Sequence, residues 1–185
     1  MKTILILHGI SGHAGIHWQQ WLHDELQKQG FKVIMPNLSN SGHPNRKEWL
    51  AEVRQSIQGV DTEDLLIVGH SLGVTSALDF IEQSPTPIKA LVSVSGFAID
   101  YGLELNSYFL QEKSIDFTKV RSHLEKTAVF YTDDDPYVTQ ESLKQLADAL
   151  NVQATVIHGG GGHLNTERGY NEFPELLEKV MEIAA

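Results

Sequence analysis

A serine flanked by glycines is the residue whose setting most clearly indicates chemistry in this chain. It lies in Gly69-His70-Ser71-Leu72-Gly73, which follows the apolar run at residues 65–68 and precedes a segment with helical spacing. A G-x-S-x-G sequence between a strand and a helix is typical of a nucleophile elbow, a tight turn that lifts the serine hydroxyl off the sheet. Residues without a β-carbon are needed beside the serine because the turn brings backbone segments close together. This placement predicts that Ser71 is a nucleophile.

A serine hydroxyl needs a base within hydrogen-bond reach, because it is a weak nucleophile near neutral pH. The chain has nine histidines that could provide one. In the order serine, acid, histidine, the base lies near the C-terminus and directly after a strand. His163 meets both conditions, since it follows the last apolar run in a loop that contains the four glycines 159–162. His158 is the alternative, but a residue still within the strand is less able to reach the elbow.

A run of three aspartates supplies the candidates for the acid that orients the histidine. Asp133-Asp134-Asp135-Pro136 follows the apolar run at residues 128–132. Pro136 restricts Asp135 to extended backbone conformations, which gives its side chain a fixed direction. We therefore predict that Asp135 fixes the tautomer of the base. Asp134 remains the alternative, and Asp133 is interpreted as part of a solvated turn.

An acyl-transfer site also needs two backbone N–H groups directed at the developing oxyanion. The residue after the nucleophile, Leu72, is expected to supply one of them, and the loop after the first strand the other. In that loop the donor is predicted to be the Ile10 amide, with Gly9 as the alternative and His8 as a residue that orders the loop. Neighbouring residues are the candidates for the substrate pocket: Gly9, His70, Trp18 and Phe97.

Short apolar runs alternate with segments of helical spacing along the whole chain. The predicted strands are residues 3–7, 32–35, 65–68, 90–94, 128–132 and 154–157, and the predicted helices are residues 16–29, 45–58, 71–83, 140–150 and 175–183. This alternation predicts an α/β fold, with a doubly wound, mostly parallel six-stranded sheet and helices on both faces. Ligands bind such sheets outside the carboxyl ends of the strands, which is where Ser71, Asp135 and His163 are expected.

The one long irregular segment, residues 97–126, is predicted to contain one helix near residues 118–125. It forms either a short cap or pocket wall, or a packed connection that does not contact ligand.

Length and composition restrict the classes of function. The 185 residues fit a single domain, residues 1–185. A net charge of −10 disfavours a nucleic-acid partner, and the absence of cysteine excludes thiol nucleophiles and disulfides. The apolar run at residues 4–7 is too short for a signal peptide or membrane span, so a cytoplasmic location is expected. His13 and His17 could share a helix face, but without a third ligand they do not predict a metal site, and no cofactor is predicted.

The motifs taken together resemble those of the α/β-hydrolase superfamily, and in particular its small YdeN-type and retinoblastoma-binding-protein-like serine hydrolases. The segments that carry the resemblance are His8-Gly9, Gly69-His70-Ser71-Leu72-Gly73, Asp134-Asp135-Pro136-Tyr137-Val138 and Gly162-His163-Leu164-Asn165. The resemblance implies a triad of Ser71, Asp135 and His163 on a minimal sheet of six parallel strands.

The expected function is hydrolysis of a small carboxylic ester through an acyl-enzyme, with an open pocket suited to short acyl groups. The expected partner is therefore a small-molecule ester or related acyl compound, and no particular protein partner is indicated. The alternatives are an amidase or thioesterase that uses the same triad, or a non-catalytic binding module on the same fold.

Overall fold

Six parallel strands form the centre of the protein, whose computed structural model describes residues 2–185. The strands are β1 (Thr3–Leu7), β2 (Lys32–Ile34), β3 (Leu65–His70), β4 (Ile88–Val94), β5 (Leu124–Thr132) and β6 (Thr155–Ile157). Their order across the sheet is β2-β1-β3-β4-β5-β6, and every neighbouring pair is parallel. Because the order reverses beside β1, the connections leave the sheet on both faces. The predicted fold class is confirmed.

Within residues 2–185, seven α-helices connect or follow these strands. They are α1 (Gln19–Lys28), α2 (Arg46–Ser56), α3 (Leu72–Glu82), α4 (Glu104–Gln111), α5 (Phe117–His123), α6 (Gln140–Leu150) and α7 (Pro174–Ala184). Side-chain caps define several helix starts; Asn45, for example, accepts hydrogen bonds from the amides of Lys47 and Glu48 at the start of α2. No helix within residues 2–185 has the length and hydrophobicity that crossing a bilayer requires.

The two faces of the sheet carry separate hydrophobic cores, because side chains alternate along each strand. On β1, Leu5 and Leu7 face one core, while Ile4 and Ile6 face the other. Buried residues of α2 to α6 pack in the first core, and those of α1 and α7 pack in the second. Both faces are therefore covered, which accounts for the continuous apolar runs in the sequence.

The segment at residues 97–126 differs from its predicted structure. It contains two helices, α4 and α5, and its last residues already belong to β5, which begins at Leu124. Strand β5 was predicted too short because Glu125 and Lys126 are exposed at its start, so hydropathy does not mark this part as a strand. Helix α4 was missed because it has only eight residues, and its buried side chains include the polar Asn106.

A buried ion pair holds this segment to the rest of the protein. Arg46, at the start of α2, donates from Nε to Asp79 Oδ2 over 2.7 Å and from one terminal nitrogen to Asp79 Oδ1 over 2.9 Å. The other terminal nitrogen donates to the carbonyls of Phe109, Leu110 and Lys113, at the end of α4 and just beyond it. A single guanidinium thus joins α2, α3 and α4, and its donors replace hydrogen bonds that the end of α4 cannot make internally.

We predict that Arg46→Met lowers the free energy of unfolding by about 3–5 kcal/mol, because Asp79 then lies buried without its main counter-charge. Urea-induced unfolding measures the loss. Lys47→Met is the matched control: its side chain is exposed, with only a 3.5 Å contact to Glu112, so a change below about 0.5 kcal/mol is expected.

The double variant Arg46→Met/Asp79→Leu should recover much of this loss, because it removes both charges. If it is no more stable than Arg46→Met alone, the stranded Asp79 charge is not the cause.

Candidate active site

Ser71 lies in a strained turn between β3 and α3. Its φ of 55° and ψ of −126° fall outside the conformations that a residue with a β-carbon prefers. Backbone hydrogen bonds hold the turn: the Ser71 amide donates to the Val94 carbonyl over 2.9 Å, and the Val74 amide donates to the Ser71 carbonyl over 3.0 Å. The strain is therefore maintained by the neighbouring strand β4 and by the first turn of α3.

The two glycines of the motif lie close to neighbouring backbone, and Gly73 is the more tightly enclosed. A β-carbon on Gly73 would lie 2.5 Å from the His8 carbonyl oxygen and 2.7 Å from that of Leu7. A β-carbon on Gly69 would lie 3.0 Å from the backbone of Val74. Helix α3 can therefore approach the end of β1 only because position 73 has no side chain.

The His163 imidazole and the Asp135 carboxylate are in direct contact. His163 Nδ1 donates to Asp135 Oδ2 over 2.8 Å, which leaves Nε2 as the acceptor of the neutral ring. Asp135 Oδ1 accepts from the amides of Tyr137 and Val138 at 2.9 and 3.0 Å, and its side chain is fully buried. Backbone donors thus orient this carboxylate before it meets the histidine.

The rival residues have other partners. Asp134 Oδ1 accepts from the Gly162 amide over 2.8 Å, so this aspartate orders the glycine loop that precedes His163. Asp133 pairs with His158 over 2.6 Å, and both side chains are exposed. The structure therefore brings Asp135, and neither neighbour, onto the imidazole of His163.

The loop after β1 lies against the elbow. His8 Nε2 accepts from the Leu38 amide over 3.0 Å and its Nδ1 donates to the Gly9 carbonyl over 2.8 Å, and burial lowers the pKa of His8, which favours this neutral form. A β-carbon on Gly9 would lie 2.9 Å from that of Ser71. Within residues 2–185, neither the Ile10 amide nor the Leu72 amide donates a hydrogen bond, and Ile10 lines the same cavity as Ser71.

His70 lies at the cavity wall and contacts three neighbouring rings. Its Nε2 donates to the His163 carbonyl over 2.9 Å, and its ring centroid lies 4.9 Å from that of His163, 5.5 Å from that of His17 and 5.8 Å from that of Trp18. Burial, and then the neighbouring His163, lower the pKa of His70 well below its ordinary value. His70 is therefore neutral and holds the His163 loop against the elbow.

An open cavity of about 290 Å³ contains Ser71 and His163 on its wall. Its other walls come from the loop after β1, from the segment at residues 97–126 and from the loops after β5 and β6; they include Gly9, Ile10, His17, His70, Tyr101, Leu103, Leu105, Asn106, Tyr137, Asn165 and Glu167. Within residues 2–185 no hydrogen bond joins the Ser71 hydroxyl to the imidazole, and such bonds are often long before substrate binds.

Two of the predicted pocket residues, Trp18 and Phe97, do not line this cavity. Both are almost fully buried in the core. Trp18 donates from Nε1 to the Leu164 carbonyl and packs on His70, whereas Phe97 packs on Tyr101. Both rings are buried because removing their large apolar surface from water is favourable. From the core, Trp18 packs against His70 and Phe97 packs against Tyr101, and both of these partners line the cavity.

Sequence reasoning missed a contact that crosses the cavity rim. The Tyr137 hydroxyl lies 2.9 and 2.7 Å from the two carboxylate oxygens of Glu167, and the Tyr137 ring stands edge-on to His163 with centroids 5.4 Å apart. The position of Tyr137, two residues after Asp135, was the only available signal. Tyr137 and Glu167 both line the cavity, so this contact joins two parts of its wall beside the imidazole.

A metal centre has no support in the described part of the chain. No group of three histidine, aspartate or glutamate side chains within residues 2–185 could hold an ion. His13 and His17, the pair considered from the sequence, bond instead to the Ala14 carbonyl and to Thr166.

The chain is similar to known hydrolases in sequence and in structure. The sequence model of a family described as serine hydrolases matches residues 4–182. The protein YdeN of Bacillus subtilis (strain 168) is 28% identical over 176 residues, covering 94% of this chain and 91% of the relative. The serine hydrolase RBBP9 of Rattus norvegicus is 24% identical over 184 residues, with coverages of 97% and 93%. The crystal structure of the B. subtilis ydeN gene product superposes with a TM-score of 0.91 at 27% identity, covering 99% and 98% of the two chains.

We predict that Gly73→Ala lowers the free energy of unfolding by about 1–3 kcal/mol, because the added carbon collides with the backbone of β1. Helix propensity alone predicts the opposite sign, a gain of up to about 1 kcal/mol. Urea unfolding distinguishes the two. Gly42→Ala is the control, since a β-carbon there meets no atom within 4 Å, and a similar effect at both positions would contradict the close contact.

Proposed function

Because the chain belongs to the serine hydrolase family, and within it to the YdeN-type and RBBP9-like group, we propose that it hydrolyses small carboxylic esters through a triad of Ser71, His163 and Asp135. Hydrolase chemistry follows from the family; the ester substrate and the triad are our inference. The observation that carries the proposal is the His163–Asp135 hydrogen bond beside an elbow serine in one cavity.

In the first half of the proposed reaction, the Ser71 oxygen attacks the carbonyl carbon while His163 Nε2 takes the hydroxyl proton. The carbonyl π electrons move to oxygen, which becomes an oxyanion. We assign the amides of Ile10 and Leu72, which have no acceptor within residues 2–185, as the donors to this oxyanion. Asp135 stabilises the imidazolium that forms.

The tetrahedral intermediate then collapses. The bond from carbon to the alkoxy oxygen breaks, His163 returns its proton to that oxygen, and the alcohol leaves an acyl group on Ser71. A water molecule deprotonated by His163 attacks this acyl-enzyme. The second collapse releases the carboxylic acid and restores the Ser71 hydroxyl. Each proton transfer uses a side chain of this protein, so the proposed reaction needs no cofactor.

The size of the cavity favours small substrates. Its volume of about 290 Å³ is at the lower end of the range for small-molecule sites. Tyr101, Leu103, Leu105 and Asn106 come from residues 97–126, and we propose that this segment acts as a pocket wall within one hydrolase domain formed by residues 1–185. Esters with short acyl chains are the substrates that fit this wall.

We predict that a fluorophosphonate probe labels the wild-type protein at Ser71. Ser71→Ala should abolish this labelling and lower the rate of ester hydrolysis by several orders of magnitude. Mass spectrometry locates the label, and 4-nitrophenyl esters of increasing acyl length measure turnover, which should be greatest for acetate and butyrate. Thermal unfolding of the variant controls for folding. A wild-type protein that is folded but neither labelled nor active would be a binding module on a hydrolase fold.

We further predict that Asp135→Asn lowers kcat by about 10⁴-fold, because an amide favours the wrong histidine tautomer. Asp134→Asn should cost far less, since the asparagine oxygen can still accept from the Gly162 amide. Steady-state kinetics on 4-nitrophenyl acetate compares the pair. Greater damage from Asp134→Asn would show that the acid is wrongly assigned.

A further inference from the structure

His17 has a strained backbone at the wall of the cavity. Its φ of 59° lies in the left-handed region, which a residue with a β-carbon rarely adopts. Residues held in such conformations cluster at active sites and ligand clamps. His17 lines the same cavity as Ser71 and His163, and the proposed reaction has so far given it no role.

The two nitrogens of the His17 ring are not equivalent. The Thr166 amide donates to Nδ1 over 3.3 Å, and the Thr166 hydroxyl lies 3.0 Å from the same nitrogen. An amide can donate only to an unprotonated nitrogen, so the proton of the neutral ring is on Nε2. Burial, and then the neighbouring His163, lower the pKa of His17, while Glu167 has a smaller opposite effect. His17 is therefore a neutral imidazole with one N–H group.

This N–H group is free to meet a ligand. Within residues 2–185, Nε2 of His17 has no hydrogen-bond partner. This nitrogen is not buried, so a ligand can reach it. The other two histidines of the cavity wall differ: His70 donates to the His163 carbonyl, and His163 donates to Asp135. His17 thus offers a fixed and unused donor at the site.

The ring contacts place the His17 imidazole near His163. His17 stands edge-on to His70 with centroids 5.5 Å apart, and His70 contacts His163 at 4.9 Å. In the proposed reaction the oxygen that leaves must approach His163, because it receives its proton from that ring. In the same proposed reaction, the carbonyl oxygen accepts hydrogen bonds from other donors, the amides of Ile10 and Leu72.

We propose that His17 is a leaving-group-binding residue, whose Nε2–H donates a hydrogen bond to the alkoxy oxygen of the ester. This inference rests on the proposed function and narrows its substrate class to esters of ordinary aliphatic alcohols. An aliphatic alkoxide is strongly basic, so negative charge on its oxygen as the bond breaks gains much from a second donor beside His163. An activated phenolate such as 4-nitrophenolate gains little, because its charge is delocalised into the ring.

Two substitutions separate the donor from its structural contacts. His17→Asn tolerates a positive φ, and its side-chain oxygen can still accept from the Thr166 amide, but it has no group at the position of Nε2. His17→Gln is longer and can place an amide N–H near that position. His13→Asn is the matched control, because His13 is an exposed histidine of the same loop that does not line the cavity.

The assay compares ethyl acetate with 4-nitrophenyl acetate, which share one acyl group. The measured quantity is kcat/KM, which reports the steps up to release of the alcohol. For His17→Asn we expect a loss of about ten- to a hundredfold on the ethyl ester and less than about threefold on the nitrophenyl ester. His17→Gln should restore part of the loss on the ethyl ester, and His13→Asn should change neither value.

An equal loss on both esters, or no loss on either, would overturn the proposal and leave His17 as a residue that only supports the loop at Thr166. If His17→Asn does not fold, His17→Gly replaces it, since glycine accepts the positive φ. A wild-type protein that hydrolyses neither ester and takes no fluorophosphonate label would instead refute the proposed function itself, and the inference with it.

Discussion

The site depends on one local constraint, the strained turn that holds Ser71 between β3 and α3. A serine at φ 55° is not stable by itself, so neighbouring backbone must hold it there. The Val94 carbonyl does so from β4, and the first turn of α3 does so from the other side. The same turn determines where the hydroxyl points and where the first free amide of α3 lies. A small change of this turn would therefore move nucleophile and amide together.

A second layer of contacts transmits this geometry to the loops at the ends of β5 and β6. His70, inside the elbow, donates to the His163 carbonyl, while Asp134 and Asp135 hold Gly162 and the His163 ring. Each of these polar groups is satisfied by a partner from another strand end. Satisfied polar networks make a site rigid, whereas an unpaired member would be costly to bury. Several polar side chains around the elbow therefore hold the His163 loop in place.

The elements with strong local signals were predicted well, and those without them were not. The alternation of apolar runs and helical segments was sufficient for the fold class, because strands buried on both faces are continuously hydrophobic. The family resemblance read from the motifs is confirmed by the match over residues 4–182. Helix α4 was missed because it is short and partly polar, and the ion pair of Arg46 with Asp79 joins residues 33 positions apart without any sequence pattern.

The sequence by itself determined the elbow, the acid run and the histidine after the last strand, because each follows from neighbouring residues and strand order. Only the tertiary structure decided which partner each group meets. Of the three adjacent aspartates, Asp133 pairs with His158, Asp134 with the Gly162 amide and Asp135 with His163. His17 likewise contacts Thr166, which lies 149 positions away in the chain. Such pairings form where strand ends and loops from distant parts of the chain meet, so the local periodicity of the sequence cannot predict them.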